Sequence, residues 1–471
     1  MDAMGQEFRK WIERQHMWGQ SLTPLDNSRY TLSTPNAKAH VTLTPLANGQ
    51  EMVELRIERS HLVNPTYLVR FALKDLPRAR DLFREMGKAF AAEVSRGSVT
   101  VLICSDRDAR VRLLSEKIRE AVNDLSLSYD VVFCSAHEAF TRTHDHMAIM
   151  LAPGMAHLRK RLTEAHPGSA VFPLPQRVVA EQDARIAIQL LLEAIHEIES
   201  IPVPHNECLL PLRPLARDGR VLVLNIMYGD RCVRMGYRVY DAHRPIAQGI
   251  VMKARLSMRD IDDLMESLCL KGVNAASLDA IGIRVPGVVN CYSMSLPGLG
   301  DRDDNLREIF EKRYGAKTYI DNNTNAAAMG CYLLQAEGDS LTLYRHQLGH
   351  KNGGQGTIVG GKLVTGRFCL AGEPKFYQRN FKYTDSYAEA VWSSSGLAEV
   401  CRNVLLASIG IVSPDVAYLA VSTIDDMDAL RKSLERKLPV YCIPELVAID
   451  DYRERMYLGE VALCLERLAH E

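Results

Sequence analysis

Apolar residues change their spacing repeatedly along this chain, and each change predicts a different kind of element. Residues 30–58 alternate apolar and polar side chains between Pro and Asn-Gly breaks, the two-residue period of a small antiparallel sheet. Residues 79–94 return an apolar position every three or four residues and predict a helix. Residues 6–16 predict a shorter amphipathic one, and Trp11 and Trp18 are expected to pack. The run over 99–103 reads as a buried strand, followed by a polar turn and a helix over 112–123. Strands over 129–134 and 147–151 each precede further helical stretches, so this region predicts a doubly wound parallel sheet. Prolines 202, 204, 211 and 214 then interrupt the pattern. A second α/β pattern opens at Arg220, with a strand over 221–224, a hairpin strand over 236–241, a helix over 258–271 and a strand over 280–285. No tandem repeat is visible.

A chain of 471 residues is too long for one ordinary domain. The pattern divides it into an α+β module over 1–95, an α/β domain over 96–200, a Pro-rich linker over 201–218 and a larger α/β region over 219–471. A formal net charge of -1 gives no electrostatic footprint for DNA or RNA, so nucleic acid is not an expected partner. The 11 cysteines stand singly, with no CxxC or CxC pair, against a local zinc site or a stapled secreted scaffold. Nothing at the N-terminus resembles an apolar leader, and no stretch reads as long enough to span a bilayer. The expectation is a soluble, cytoplasmic chain with reduced thiols and no membrane insertion.

The candidate chemistry begins at Tyr319-Ile320-Asp321-Asn322-Asn323-Thr324-Asn325, where a strand-like run ends in short polar side chains. Ala326-Ala327-Ala328-Met329-Gly330 follows as an apolar helical run. Amides at such a corner can cap the helix and also face a cleft at the strand's carboxyl end. Four more stretches occur with it. They are Ile281 to Asn290, containing Pro286-Gly287; Leu296-Pro297-Gly298-Leu299; Gly353-Gly354-Gln355-Gly356 through Leu363; and Ala371-Gly372-Glu373. This set resembles, in order, the motifs of the ROK family of bacterial sugar kinases and sugar-responsive repressors: "GIGIPGPVD", "LPGW", "ENDANAAALG", "GIGAGIIINGKL" and "AGE". The resemblance implies an actin-like ATPase (ribonuclease H-like) two-lobed fold over 219–471.

It also implies a sugar site from Asn322, Asn323 and Glu373, shaped by Gly287 and Gly298. The departures decide what such a site can do. Asn323 stands at the family's catalytic aspartate, and an amide can hydrogen-bond a hydroxyl but cannot serve as its general base. The family's "DIGGT" phosphate loop corresponds to Asn225-Ile226-Met227-Tyr228-Gly229, which has lost the carboxylate and two small residues. Asn225, Gly229, Gly353, Gly354 and Gly356 are therefore read as remnants of nucleotide loops. The second phosphate loop, "GTG" in the family, reads Gly349-His350-Lys351-Asn352, and the adenosine-side "GGG" reads Val421-Ser422-Thr423. Pro374-Lys375-Phe376 follows Glu373 with no Cys-x-Cys cluster, so the family's zinc site is not expected.

In the middle domain, Leu102-Ile103-Cys104-Ser105-Asp106-Arg107-Asp108 and Met150-Leu151-Ala152-Pro153-Gly154 resemble enzyme IIB components of the sugar phosphotransferase system. That resemblance makes Cys104 a phosphocysteine candidate. A thiolate at a helix N-terminus is favoured by the dipole, and Arg107 and Arg110 would help an anion, whereas Asp106 and Asp108 would repel one. The bland alternative is a packed cysteine in an α/β core.

The reading is a sugar- or sugar-phosphate-sensing regulatory protein of carbohydrate metabolism built on a degenerate sugar kinase fold, a pseudokinase linked to transcriptional regulation. The alternatives are an active ATP-dependent kinase and a phosphotransferase-linked interaction protein modified on Cys104. No cofactor is expected; ATP and Mg would belong only to the kinase alternative, and no metal ligand is assigned. Expected partners are a sugar or sugar phosphate, phosphotransferase-system proteins and a second copy of the chain.

Overall fold

The computed structural model describes residues 3–34, 36–59, 65–95, 99–106, 108–125, 127, 129–142, 147–166, 169–194, 209–228, 233–285, 296, 299, 305–347, 350, 352–366, 369–384, 386–391, 394–421 and 426–471. The chain folds as two compact units, Met1–Val203 and Pro204–Glu471.

Unit 1 opens with helix α1 (Ala3–Ile12) and an antiparallel meander of β1 (Arg29–Ser33), β2 (Ala37–Pro45), β3 (Glu51–Arg59) and β4 (Tyr67–Ala72). Alternation is strict in β3: Val53, Leu55 and Ile57 are buried, while Met52, Glu54, Arg56 and Glu58 are half-exposed. Helix α2 (Leu76–Ser95) lays Ala79, Leu82, Phe83, Met86 and Phe90 against that apolar face. Trp11 packs as expected, stacked on Phe8 and edge-on to Phe83, with Arg80 over its ring. Trp18 does not. It is half-exposed at a left-handed backbone position, φ 51°, because it tips a tight two-strand turn and cannot reach the core.

The second part of unit 1 contains, among the described residues, a four-stranded parallel sheet. Its strands β5 (Val99–Cys104), β6 (Tyr129–Cys134), β7 (Met147–Leu151) and β8 (Ala170–Pro173) lie in the order β8-β7-β5-β6. Helix α3 (Ala109–Asp124) follows β5, and the short α4 (Ala136–Thr141) follows β6. This is the doubly wound parallel arrangement that alternation predicts.

Unit 2 builds the same topology twice. In the first half, β9 (Arg220–Tyr228), β10 (Val233–Asp241) and β11 (Arg244–Lys253) form an antiparallel meander. Helix α5 (Met258–Leu270) then leads to β12 (Ala280–Val285) and β13 (Lys317–Asn322), both parallel to β9, and helix α6 (Asn323–Leu333) closes the half. In the second half, β14 (Leu341–Arg345), β15 (Gly354–Val359) and β16 (Lys362–Leu363) repeat the meander. Helix α7 (Ser394–Val412), β17 (Val416–Ala420), β18 (Glu445–Ala448) and helix α8 (Tyr452–His470) repeat the rest. A duplicated α/β fold thus stands where the sequence shows no repeat.

The closing helices of the two halves cross each other at glycines. A Cβ on Gly330 would lie 1.9 Å from the Arg455 carbonyl oxygen, and one on Gly459 would lie 1.8 Å from the Ala326 oxygen. This close approach explains the Ala-rich composition of α6, whose Ala326, Ala327 and Ala328 are fully buried.

Two expectations are corrected. One helix, residues 395–412, is long and apolar enough to cross a membrane by length and composition. Only Glu399 and Arg402 interrupt it, and it serves as a core helix burying Leu397, Val400, Cys401, Val404 and Leu405. The thiols are not all reduced, because Cys369 is disulfide-bonded.

Candidate functional site

The corner between β13 and α6 is held from three sides. Asn322 caps the helix, its Oδ1 accepting from the amides of Thr324 (2.7 Å) and Asn325 (3.4 Å). Its Nδ2 donates to Glu373 Oε1 at 3.4 Å, and its main-chain oxygen accepts from Arg284 Nη2 at 2.5 Å. One asparagine therefore performs both the capping role and the Glu373 contact. Burial raises the pKa of Glu373, and the Lys375 ammonium at 3.5 Å opposes that shift.

Asn323 is only 5% exposed, and its Oδ1 has no hydrogen-bond partner among the described residues. Asn225, 7% exposed, has an unpartnered Oδ1 in the same sense. A buried amide oxygen left bare costs about 1–3 kcal/mol, so each oxygen calls for a donor such as a water or a hydroxyl. Asn225 lies within β9, paired in register with Arg284 on β12 and Gly236 on β10. Arg284 pairs in turn with Asp321 on β13, so the four residues form one row across the sheet.

That row rests on α8, and sequence reasoning missed the charges in it. Arg284 is fully buried and donates to Glu460 Oε2 at 3.1 Å. Arg467 grips Asp321 with two bonds of 2.6 and 2.7 Å. Gly282 and Gly236 leave room for this layer, since a Cβ would lie 2.5 Å from Glu460 Oε1 and 2.6 Å from Tyr457 Oη respectively. Burial raises the pKa of Glu460 against the pull of Arg284. The signal was present in the sequence. An arginine inside the apolar strand Ala280–Val285 needs a buried acidic partner, and Glu460 stands among the apolar residues of α8 where it can supply one.

The glycines read as nucleotide-loop remnants have packing reasons of their own. A Cβ on Gly354 would lie 2.4 Å from Thr324 Oγ1, and one on Gly356 2.6 Å from the Thr324 carbonyl oxygen. One on Gly353 would lie 2.6 Å from Tyr344 Oη. They let β15 press against the first turns of α6 and against Tyr344. Nearby, Tyr344 Oη meets His346 Nδ1 at 2.7 Å, and His346 Nε2 donates to the His350 carbonyl at 2.9 Å. Burial pushes His346 down to about 4, so it is neutral near pH 7. Asn352 accepts from Arg379 Nη2 at 3.1 Å. Of the second phosphate loop, His350 and Asn352 are thus engaged within the fold.

After Glu373 the chain turns through Pro374–Phe376 and Gln378–Asn380. Tyr377 donates to Gln355 Oε1 at 2.7 Å, and the Tyr383 and Tyr387 rings lie 5.4 Å apart. Aromatic packing occupies the segment where the resemblance would place metal-binding cysteines.

The structure therefore brings Asn322 and Glu373 together, with Asn323 the next residue along α6, and sets Gly354 and Gly356 against the same helix start. Asn225 lies two strands away in the sheet. Gly229, Gly287 and Gly298 lie outside the described residues, as do Arg107, Gly349, Lys351, Ser422 and Thr423. Cys104 belongs to unit 1, at the buried end of β5. Asp106 accepts from the Ala136 amide at 3.0 Å, and Asp108 caps α3 by accepting from the Arg110 amide at 2.9 Å.

Residues 260–381 match the family model described as "ROK family". A putative xylose repressor of Caldicellulosiruptor sp. (strain Rt8B.4) is 35% identical over 96 residues, which is 20% of this chain and 24% of that protein. The match thus spans about a quarter of the relative's length. Among solved structures, a ROK hexokinase from Thermus thermophilus aligns at 18% identity over 54% of this chain and 100% of its own, TM-score 0.41. A ROK family glucokinase from Streptomyces griseus, in complex with glucose and AMPPNP, aligns at 19% identity over 52% and 99%, TM-score 0.35. A ROK family transcriptional regulator described as a homologue of the E. coli MLC protein aligns at 14% identity over 66% and 94%, TM-score 0.35. Over residues 260–381, then, the C-terminal region of this chain carries a ROK-family domain.

Proposed function

We propose that unit 2 is a sugar- or sugar-phosphate-sensing module that binds polyol hydroxyls and does not phosphorylate them. The observation that carries this reading is Asn323. It stands at the corner where the family resemblance places the general base, its Oδ1 is buried without a partner among the described residues, and its neighbour Asn322 reaches Glu373. An amide oxygen accepts a hydrogen bond from a hydroxyl and leaves the proton where it is. Phosphoryl transfer also needs clamped phosphates and a held metal. Asn225 lacks the carboxylate for the metal, and Gly354 and Gly356 are consumed in packing against α6. The matched relative's description as a putative xylose repressor supports a regulatory use of such a site.

Residues 96–200 serve in this reading as a docking unit for phosphotransferase-system proteins without being phosphorylated, since Asp106 and Asp108 are fixed beside the Cys104 loop as caps. The rival is an active kinase. Purified protein with ATP, Mg and a panel of hexoses and N-acetylhexosamines should show no sugar phosphate. Turnover at ordinary kinase rates, roughly 1–100 per second, would establish the kinase and end the sensing proposal in this form.

A further inference from the structure

The end of the parallel sheet in unit 1 places two thiols side by side. Cys104 is the last residue of β5, Cys134 is the last residue of β6, and the two are directly paired in the parallel register. Both are free and fully or almost fully buried, at 0% and 1% exposure. Residues paired in this way project to the same face of a sheet and stand about 4.8 Å apart along the hydrogen-bonding direction. Disulfides form over Cα separations of about 4.4–6.8 Å.

The strand ends are also tied to each other beyond the ladder. The Ser105 amide donates to the Cys134 carbonyl at 3.0 Å, and Asp106 Oδ1 accepts from the Ala136 amide at 3.0 Å. Little backbone movement is therefore needed to bring the two sulfurs together. Ser105, which follows Cys104, is buried, and Asp106 after it is exposed.

We propose that Cys104 and Cys134 are a two-thiol oxidation site that closes to a cross-strand disulfide on reaction with a hydroperoxide. The Cys104 sulfur, as thiolate, attacks the peroxide O–O bond. A sulfenic acid forms on Cys104, and hydroxide or alkoxide leaves and takes up the proton the thiol had released. The Cys134 sulfur then attacks the Cys104 sulfur, the S–S bond forms and water leaves. Two thiols lose two electrons and two protons, and the hydroperoxide is reduced to water plus water or alcohol. The order of attack follows the local chemistry, because the Cys134 thiol donates a hydrogen bond to Cys104 and lowers its pKa while its own is raised. Asp106 and Glu138 oppose the Cys104 thiolate but do not reverse that direction. This site is independent of the sugar-sensing proposal.

The test treats the full-length protein with hydrogen peroxide under native conditions, blocks remaining thiols with an alkylating agent after denaturation, and maps peptides by mass. The exposed Cys269 and Cys442 report that oxidant has acted. The expected result is a Cys104–Cys134 cross-linked peptide that disappears on reduction, with most of the Cys134 alkylation signal lost. In Cys134→Ser, Cys104 should instead be trapped as its sulfenic acid by a cyclic dione. Recovery of both cysteines fully alkylated once Cys269 and Cys442 are oxidised would overturn the proposal. So would over-oxidation of Cys104 with Cys134 left free.

Discussion

Substituting Gly459→Ala tests how unit 2 is held together. The new Cβ would sit 1.8 Å from the Ala326 oxygen and 2.5 Å from the Gly330 nitrogen, both main-chain atoms of the facing helix. Ordinary contact needs about 3.5 Å, so the helices would have to part by roughly 1.5 Å, and no flexible side chain is available to give way. Overpacking of this kind costs about 1–3 kcal/mol, and rigid backbone on both sides puts this site at the upper end. Replacing Gly by Ala in a helix returns about 1 kcal/mol. The net loss is then about 2 kcal/mol, or a fall of roughly 4–8 °C in melting temperature for a unit of this size. The assay is thermal unfolding of the full chain followed by circular dichroism, with hydrogen exchange over residues 323–333 to place the loss. Gly410→Ala is the control, because a Cβ there meets nothing within 4 Å. If Gly459→Ala melts where Gly410→Ala does, the argument for a glycine-dependent crossing is wrong.

Two further outcomes follow from the buried polar groups. Glu460→Gln or Arg284→Met alone should destabilise unit 2 by about 3–5 kcal/mol in urea unfolding, whereas Arg284→Met combined with Glu460→Leu should recover much of that loss. Additive losses in the double variant would refute the pairing. His346 has its pKa depressed from 6.5 to about 4, so the stability it contributes is present above its unfolded pKa and is lost as pH falls toward 4. That difference is worth about 3 kcal/mol, so unit 2 should weaken between pH 6.5 and 4, and His346→Asn should flatten this part of the profile. An unchanged slope in the variant would reject His346 as the source.

Much of the framework was readable because period and burial agree. The strict alternation of β3 and the strands at Tyr129–Cys134 and Met147–Leu151 fall where the pattern places them. Strand β8, Ala170–Pro173, was not legible, since four residues beside prolines carry no period. Helix α7 was not assigned from the sequence, and its composition is one that a buried core helix and a membrane span share. The duplication of unit 2 was implied by the family resemblance but not visible in the residues, because topology repeats without the residues repeating: Asn322 closes β13 in the first half, while the corresponding strand in the second half ends at Ala448. At the site, Asn322, Asn323 and Glu373 came from motif order. Arg284, Glu460 and Arg467 did not, because a charge's partner in the fold lies up to 176 positions away in the chain. The glycines at 354 and 356 resemble a phosphate loop in sequence because a close approach to phosphate and a close approach to a helix both exclude a Cβ.

The central claim is that the amide corner of unit 2 binds polyol hydroxyls. Calorimetric titration of sugars and sugar phosphates into the wild-type chain and into Asn323→Ala and Glu373→Ala tests it most directly. Asn323 is the residue to change because Asn322 also caps α6 and its loss would disturb the fold. The account expects at least one ligand to bind the wild type, and each variant to lose that heat while keeping its unliganded melting temperature. Undiminished binding in both variants, or no binding to the wild type across the panel, would contradict it.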